Sequence, residues 1–275
     1  MSDFPKPTFV AQATAVSNGV PRAITRALPE ETAIAFTYQG TTHAVMMATP
    51  NDLLDFAIGF ALTEGVIHSR DDIESLDIVS NDVGVEVRCW LRSDLGAGYA
   101  QRRRSMAGPT GCGLCGIESL EDAMRAAPHV DSGFRVSPAQ IVAAIEALPA
   151  AQSLFSETRA VHGAAFWTPD AGLIATREDV GRHNALDKLV GALAQGNHDA
   201  ARGLVVMTSR ISVELVQKIA RLGAPILVAI SAPTALAVRV AETSGVTLVA
   251  LARGTDFQIY THAQRVLTGE TSHGA

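Results

Sequence analysis

The sequence predicts an α/β protein: a C-terminal domain built on a mostly parallel sheet, preceded by a smaller α+β N-terminal domain. Three observations predict it. Apolar runs at Leu204-Val205-Val206-Met207, Ile226-Leu227-Val228-Ala229-Ile230 and Val246-Thr247-Leu248-Val249-Ala250-Leu251 alternate with helical stretches over 213–221 and 234–242. Near-continuous apolar strands separated by helices are the pattern of βαβ crossovers in a parallel sheet. Upstream, strand-like runs come in pairs around turn signals, the pattern of hairpins. Between the halves, residues 93–116 are rich in Gly, Arg and Ser with little apolar periodicity, which marks a boundary.

Taken in order, residues 1–27 are polar and aperiodic and read as a loosely held N-terminal arm. The N-terminal domain is expected over 28–104. Runs 33–38 and 41–47 flank Gln39-Gly40 as a hairpin. Thr49-Pro50 supplies an N-cap and a first-turn proline for a helix through Leu53, Leu54, Ala57, Ile58, Ala61 and Leu62, which Gly65 ends. Runs 73–79 and 83–91 form a second hairpin about Asn81-Asp82, with Cys89 a buried small hydrophobe. A deeper boundary falls at a mobile loop over 105–116, and the second domain covers 117–275. There Ser137-Pro138 opens a helix whose apolar face is Ile141, Val142, Ile145 and Leu148. Runs 161–168 and 172–176 make a hairpin around Pro169-Asp170, and a helix spans 182–195.

Composition bounds the function. A chain of 275 residues, 47% hydrophobic and 18% charged, buries a sizeable core without disulfide staples. Three cysteines imply no disulfide framework, so a reducing, cytoplasmic setting is expected. Residues 1–20 carry no secretory pattern, and no apolar run reaches the ~18 residues a membrane helix needs. A net charge of −6 argues against general nucleic-acid binding. Arg102-Arg103-Arg104 is a local exception, ordinarily a solvated loop.

The densest chemistry is Ser105-Met106-Ala107-Gly108-Pro109-Thr110-Gly111-Cys112-Gly113-Leu114-Cys115-Gly116. Glycine and proline exclude a regular element, so the run reads as a loop feeding a helix that starts near Ile117. A thiol near a helix N-terminus is favoured as thiolate, the nucleophilic form. The same Cys-x-x-Cys spacing is also half of a zinc site, which would need His162 or His183, or a thioredoxin-like redox pair.

Two further stretches carry polar chemistry. The ends of the apolar strands are Thr208-Ser209-Arg210, Ser231-Ala232-Pro233-Thr234 and Ala252-Arg253-Gly254-Thr255. Ligands of open α/β sheets bind beyond the carboxyl ends of the strands, and small hydroxyl-rich turns with arginines suit an anion or nucleotide. Singly, Ser209, Ser231 and Thr234 also read as helix N-caps. Over 177–188, His183 and Asp187 are four apart, as are Asn184 and Lys188, so each pair shares a helix face. An imidazole held by a carboxylate is a possible acid–base element, and a solvated helix with ordinary i,i+4 pairs is the plain alternative.

The cysteine motif, Glu178-Asp179-Val180-Gly181-Arg182-His183-Asn184-Ala185, Thr208-Ser209-Arg210-Ile211-Ser212-Val213-Glu214, Gly223-Ala224-Pro225-Ile226 and Tyr260-Thr261-His262 together resemble the formate dehydrogenase accessory sulfurtransferases, over about residues 28–266. The resemblance implies a cytoplasmic homodimer whose C-terminal domain is similar in fold to cytidine deaminases. It implies a protein that takes persulfide sulfur from a cysteine desulfurase. The sulfur then passes to the molybdenum of bis-molybdopterin guanine dinucleotide, which goes on to formate dehydrogenase. Carried over by residue, Cys112 bears the persulfide with Cys115 beside it. Leu251, Ala252, Arg253, Gly254, Thr255 and Asp256 bind the cofactor. The chain departs from the family's usual phenylalanine at Leu251 and basic residue at Asp256. No metal ion, nucleic acid or membrane partner is implied. Two rival functions remain: a non-catalytic cofactor-binding chaperone, and a zinc hydrolase of deaminase type. The second needs His-x-Glu, and His162-Gly163-Ala164 has alanine there.

Overall fold

Two-residue turns shape the N-terminal half. Asn18-Gly19 and Gln39-Gly40 all have φ between 50° and 79°. Two successive left-handed residues make the turn whose twist matches paired strands, and glycine takes the second position without strain. The computed structural model describes residues 4–93, 95–96 and 127–268. The first turn joins β1 (Thr8–Ser17) to β2 (Val20–Pro29) in a ribbon that stands apart as a two-stranded sheet. The loosely held arm expected over 1–27 is therefore largely a regular hairpin. Its alternation is hard to see because most side chains on both faces are exposed.

A four-stranded sheet follows, ordered β4-β3-β6-β5, from β3 (Thr32–Tyr38), β4 (Thr41–Ala48), β5 (Ile73–Asn81) and β6 (Gly84–Leu91). Its inner face, with Ile34, Phe36, Tyr38, Val85, Val87, Cys89 and Leu91, packs on α1 (Leu53–Thr63). Phe36 stacks on Phe60 at 4.3 Å and meets Phe56 edge-on at 4.9 Å. The start of α1 corrects the sequence reading. Its N-cap is Asp52, at φ 52°, and Thr49 lies upstream of the helix. Thr49 is fully buried because its backbone N–H donates to Asp179 and its hydroxyl accepts from Val180 N–H, more than a hundred residues along the chain.

The second sheet has six strands in the order β12-β11-β10-β9-β7-β8. They are β7 (His162–Thr168), β8 (Gly172–Asp179), β9 (Leu204–Met207), β10 (Ile226–Ala229), β11 (Thr247–Arg253) and β12 (Asp256–Ile259). Only β9, β10 and β11 pair in parallel, while β7 and β12 join antiparallel. The sheet is thus mixed, not mostly parallel, because a hairpin closes each side of a parallel centre. Alternate residues of each central strand feed two cores. Val205, Met207, Leu227, Ala229, Leu248 and Ala250 face α4 (Arg182–Gln195), α5 (Val213–Leu222) and α6 (Ala235–Thr243). Leu204, Val206, Ile226, Val228 and Val249 face α2 (Pro138–Ala151), which Ser137 and Gln140 open with a capping box, followed by the short α3 (Ser153–Thr158).

Helix α1 crosses α4 at backbone contact. A Cβ on Gly59 would fall 1.7 Å from the Asp187 carbonyl oxygen, and one on Gly191 would fall 1.9 Å from that of Asp55. The molecule is therefore a stack: small sheet, α1, α4, large sheet, α2. Among the described residues, no helix is long and apolar enough to cross a membrane.

Candidate functional site

The carboxyl ends of β9, β10 and β11 lie side by side and are laced together. Ile211 N–H donates to Ala232 O (3.2 Å), Thr234 N–H to Ile211 O (2.9 Å) and Leu251 N–H to Ser231 O (3.3 Å). The outer two ends are two strand spacings apart, about 10 Å. Arg210 and Arg253 are both exposed along this edge. The N-cap reading holds for Thr234, which accepts from Ala237 N–H at 3.2 Å. It fails for Ser209, whose buried hydroxyl donates to Arg210 O.

The stretch from Leu251 to Asp256 forms the tip of this edge. The β11–β12 pairing shifts register between Ala250 and Arg253, and Leu251 takes φ 55°. A non-glycine residue in the left-handed region within a bulge re-aims the chain, a device concentrated near sites. Ala252 is buried as an anchor, and Arg253, Gly254, Thr255 and Asp256 are exposed. Arg253 and Asp256 are cross-strand partners at the neck of the turn. The guanidinium can donate two parallel bonds to a phosphate, while the facing carboxylate offsets part of its charge.

The start of α4 contradicts the pairing expected from spacing. His183 does not meet Asp187. Its Nε2 lies 3.3 Å from Ser212 Oγ and 3.5 Å from a Glu214 oxygen, and Ser212 Oγ donates to Glu214 at 2.6 Å. Asp187 instead accepts from Thr63 Oγ1 (2.6 Å) and from Lys218 Nζ, itself shared with Glu64. Asn184 and Lys188 do not pair with each other, because both turn to Asp179, at 3.0 and 2.7 Å. Each intrahelical pair is broken because neighbouring elements offer nearer partners: the start of α5 for His183, Thr63 of α1 and Lys218 of α5 for Asp187, and the end of β8 for Asn184 and Lys188. Lys218, Thr63 and Thr49 carry no sequence signal for these roles.

Burial, then Arg182, pushes the His183 imidazole down to about 4, and the same two causes lower His162. An imidazole starting from 6.5 therefore stays neutral in the folded protein where the unfolded chain would take up a proton. Stability is expected to be full above about 6.5 and to fall as pH drops towards about 4. Urea melts at stepped pH check this, and His183→Gln makes the profile shallower through that window, with His162 supplying the slope that is left.

Cys112, Cys115, the 105–116 loop, Arg102 to Arg104 and the helix expected from Ile117 lie outside the described residues. Cys89 is the free cysteine among those described. Burial drives its thiol up to about 12, which makes it inert as a nucleophile. Among the described residues, no group of three or more His, Cys, Asp or Glu side chains forms a metal site. Strand β7 places Ala164 inside the core, where the zinc-hydrolase reading needs a glutamate.

A family model described as the FdhD/NarQ family matches residues 29–267, from the end of β2 to the last described turn. The chain belongs to the FdhD/NarQ family. A protein of Agrobacterium fabrum named sulfur carrier protein FdhD is 54% identical over 92% of this chain and 94% of its own length. A Brucella abortus protein of the same name is 52% identical, over 88% and 90%. A crystal structure described as that of a formate dehydrogenase accessory protein from Desulfotalea psychrophila superposes with a TM-score of 0.75. It covers 94% of this chain and 99% of its own, at 24% identity, and so shows a shared fold. The bulged tip at Leu251–Asp256 and the laced strand ends all fall inside the matched region of this FdhD/NarQ chain.

Proposed function

We propose that this protein is a sulfur carrier for formate dehydrogenase, acting through a persulfide on Cys112. The observation that carries the reading is near-full-length similarity to relatives named sulfur carriers, joined to the Cys112-Gly113-Leu114-Cys115 pair. In the first step the Cys112 thiolate attacks the outer sulfur of a cysteine desulfurase persulfide. The donor's S–S bond breaks, and the donor cysteine leaves as its thiolate. The sulfur then passes to its acceptor, the molybdenum of bis-molybdopterin guanine dinucleotide: the Cys112 S–S bond breaks, Cys112 leaves as its thiolate, and a reduced molybdenum supplies the two electrons that make the outer sulfur a metal-bound sulfide.

The acceptor is a substrate here, and it is strongly anionic. Arg253 and the backbone N–H groups of the bulged tip, with Arg210 along the same edge, suit its phosphates. Asp256 faces Arg253 and weakens that attraction. We read the second domain as deaminase-like in fold without deaminase chemistry, given Ala164 after His162-Gly163. We divide the chain at the cysteine loop, keep the protein in the cytoplasm, and take it to work as a homodimer.

The test incubates the purified protein with a cysteine desulfurase and cysteine, then weighs tryptic peptides. A gain of one sulfur, about 32 Da, is expected on the Cys112 peptide and is absent from Cys112→Ala. An unmodified wild-type peptide would sink the reading. Formate dehydrogenase activity that survives Cys112→Ala in cells would favour a chaperone that only binds the cofactor.

A further inference from the structure

The starts of α4 and α5 meet at one corner of the large sheet. His183, the second residue of α4, reaches Ser212, the residue before α5, at 3.3 Å. Strand β7 brings His162 to the same corner, because Gly163 and Thr208 exchange hydrogen bonds where β7 begins and β9 ends. The start of α4 has no side-chain cap, so its positive dipole end also faces this corner.

Arg182 stands between the two imidazoles. After burial, it is the main cause that lowers both His162 and His183. Its Nε is buried and has no hydrogen-bond partner among the described residues. The carboxylates around it are engaged elsewhere. Asp179 pairs with Lys188 at 2.7 Å, Asp187 pairs with Lys218 at 2.9 Å, and Glu214 accepts from Ser212 Oγ at 2.6 Å. A buried guanidinium N–H without an acceptor is costly, and a bound oxyanion relieves it with short, charge-assisted bonds.

The charges present decide which oxyanion fits. Arg182 brings one positive charge that no carboxylate cancels at close range. Lys188 and Lys218 are already paired, and both imidazoles are neutral near pH 7. Glu214, 3.5 Å from His183 Nε2, repels any excess of negative charge. A monoanion balances the guanidinium. A phosphate group, at about 1.5 to 2 negative charges near pH 7, leaves an excess beside Glu214. A planar carboxylate also matches the guanidinium fork edge to edge. With Arg182 Nε buried and the His183 side chain 31% exposed, the ligand must be slim enough to reach inwards.

We propose that the corner formed by Arg182, His162, His183 and Ser212 binds a small free carboxylate of the size of formate. The site uses no step of the sulfur relay and no residue of the Leu251–Asp256 tip, so it stands or falls apart from both.

Saturation-transfer NMR on the single C–H proton of formate tests it, with the full chain near pH 7 and sodium chloride holding ionic strength constant. Three non-hydrogen atoms limit the affinity, so one site per chain with a Kd of about 1 mM is expected. Arg182→Gln should weaken binding by about tenfold or more, and Arg182→Lys, which keeps the charge but loses the fork, by about threefold or more. Arg239→Gln, at an exposed position on α6, should bind as the wild type does. Circular dichroism melts establish that each variant folds. The wild type gives a second readout that needs no variant. Formate places a negative charge beside His183 and should raise its titration midpoint from about 4, followed through the ring protons. Wild type that shows no transfer to formate overturns the proposal, and so does equal displacement by chloride. A folded Arg182→Gln that binds as tightly as the wild type, or a His183 midpoint that formate leaves in place, overturns it too. Displacement of formate by guanosine diphosphate would assign the corner to the sulfur acceptor and overturn it equally.

Discussion

Gly59→Ala is expected to destabilise the whole molecule by about 3 kcal/mol or more, lowering Tm by roughly 6–12 °C. The added methyl would sit 1.7 Å from the Asp187 carbonyl oxygen, and backbone cannot swing aside as a side chain can. The α1–α4 crossing must open instead. Opening it loosens the bond from Thr63 to Asp187 and the bonds from Lys218 to both. Gly191→Ala strikes the same crossing from the other helix, against Asp55 O at 1.9 Å, and should cost a similar amount. The double variant is expected to cost clearly less than the sum, because once the helices have parted the second methyl finds room. Gly133→Ala, with nothing within 4 Å of its new methyl, is the control and should melt within about 0.5 kcal/mol of the wild type. Full additivity at Gly59 and Gly191 would show that the two glycines do not act through one crossing.

That crossing explains what the sequence could and could not disclose. The parallel centre of the large sheet was legible because strands buried on both faces are apolar without interruption, as Val205 to Met207 and Leu227 to Ala229 are. Helix α4 was legible to its ends, and so was the capped start of α2 at Ser137-Pro138. The ribbon was not, because a strand pair exposed on both faces shows no alternation of burial. Only Asn18-Gly19 betrays it. The partners of His183, Asp187 and Lys188 were hidden for a different reason. Spacing reports which residues share a helix face, but α1 and α5 decide what lies opposite that face. The bulge at Leu251 leaves no mark in the sequence either, since nothing about a leucine signals a left-handed backbone.

The largest asymmetry is expected at the buried pair beside that crossing. Asp179 and Lys188 are both fully buried, 2.7 Å apart, with burial pulling the lysine below its usual range while Asp179 holds it up. Removing either partner strands the other, typically at about 3–5 kcal/mol. The two sides are not equal. Asp179 also accepts from Thr49 N–H (3.0 Å), Gly181 N–H (2.7 Å) and Asn184 Nδ2 (3.0 Å). Lys188→Met takes a donor from Thr49 O and Asn51 Oδ1 but leaves those three donors satisfied and the carboxylate still bonded, so its cost should lie near the lower end, about 3 kcal/mol. Asp179→Ala leaves a buried ammonium without its counter-charge, held only by Thr49 O and Asn51 Oδ1, and strands the Thr49 and Gly181 N–H groups, while Asn184 Nδ2 keeps Met47 O; it should cost about 5 kcal/mol or prevent folding. The lysine then relieves itself by losing its proton, so Asp179→Ala should be markedly more stable at pH 9 than at pH 7, a trend Lys188→Met does not share. Urea midpoints at equal m-values rank the two variants at each pH. The same loss frees the link from Thr49 to the start of α4, where Arg182 and His183 stand. The ranking therefore tests whether Asp179 holds Thr49 to the start of α4 through its backbone bonds as well as through its charge. Equal costs for the two substitutions, at both pH values, would mean that the pair acts only through its mutual charge.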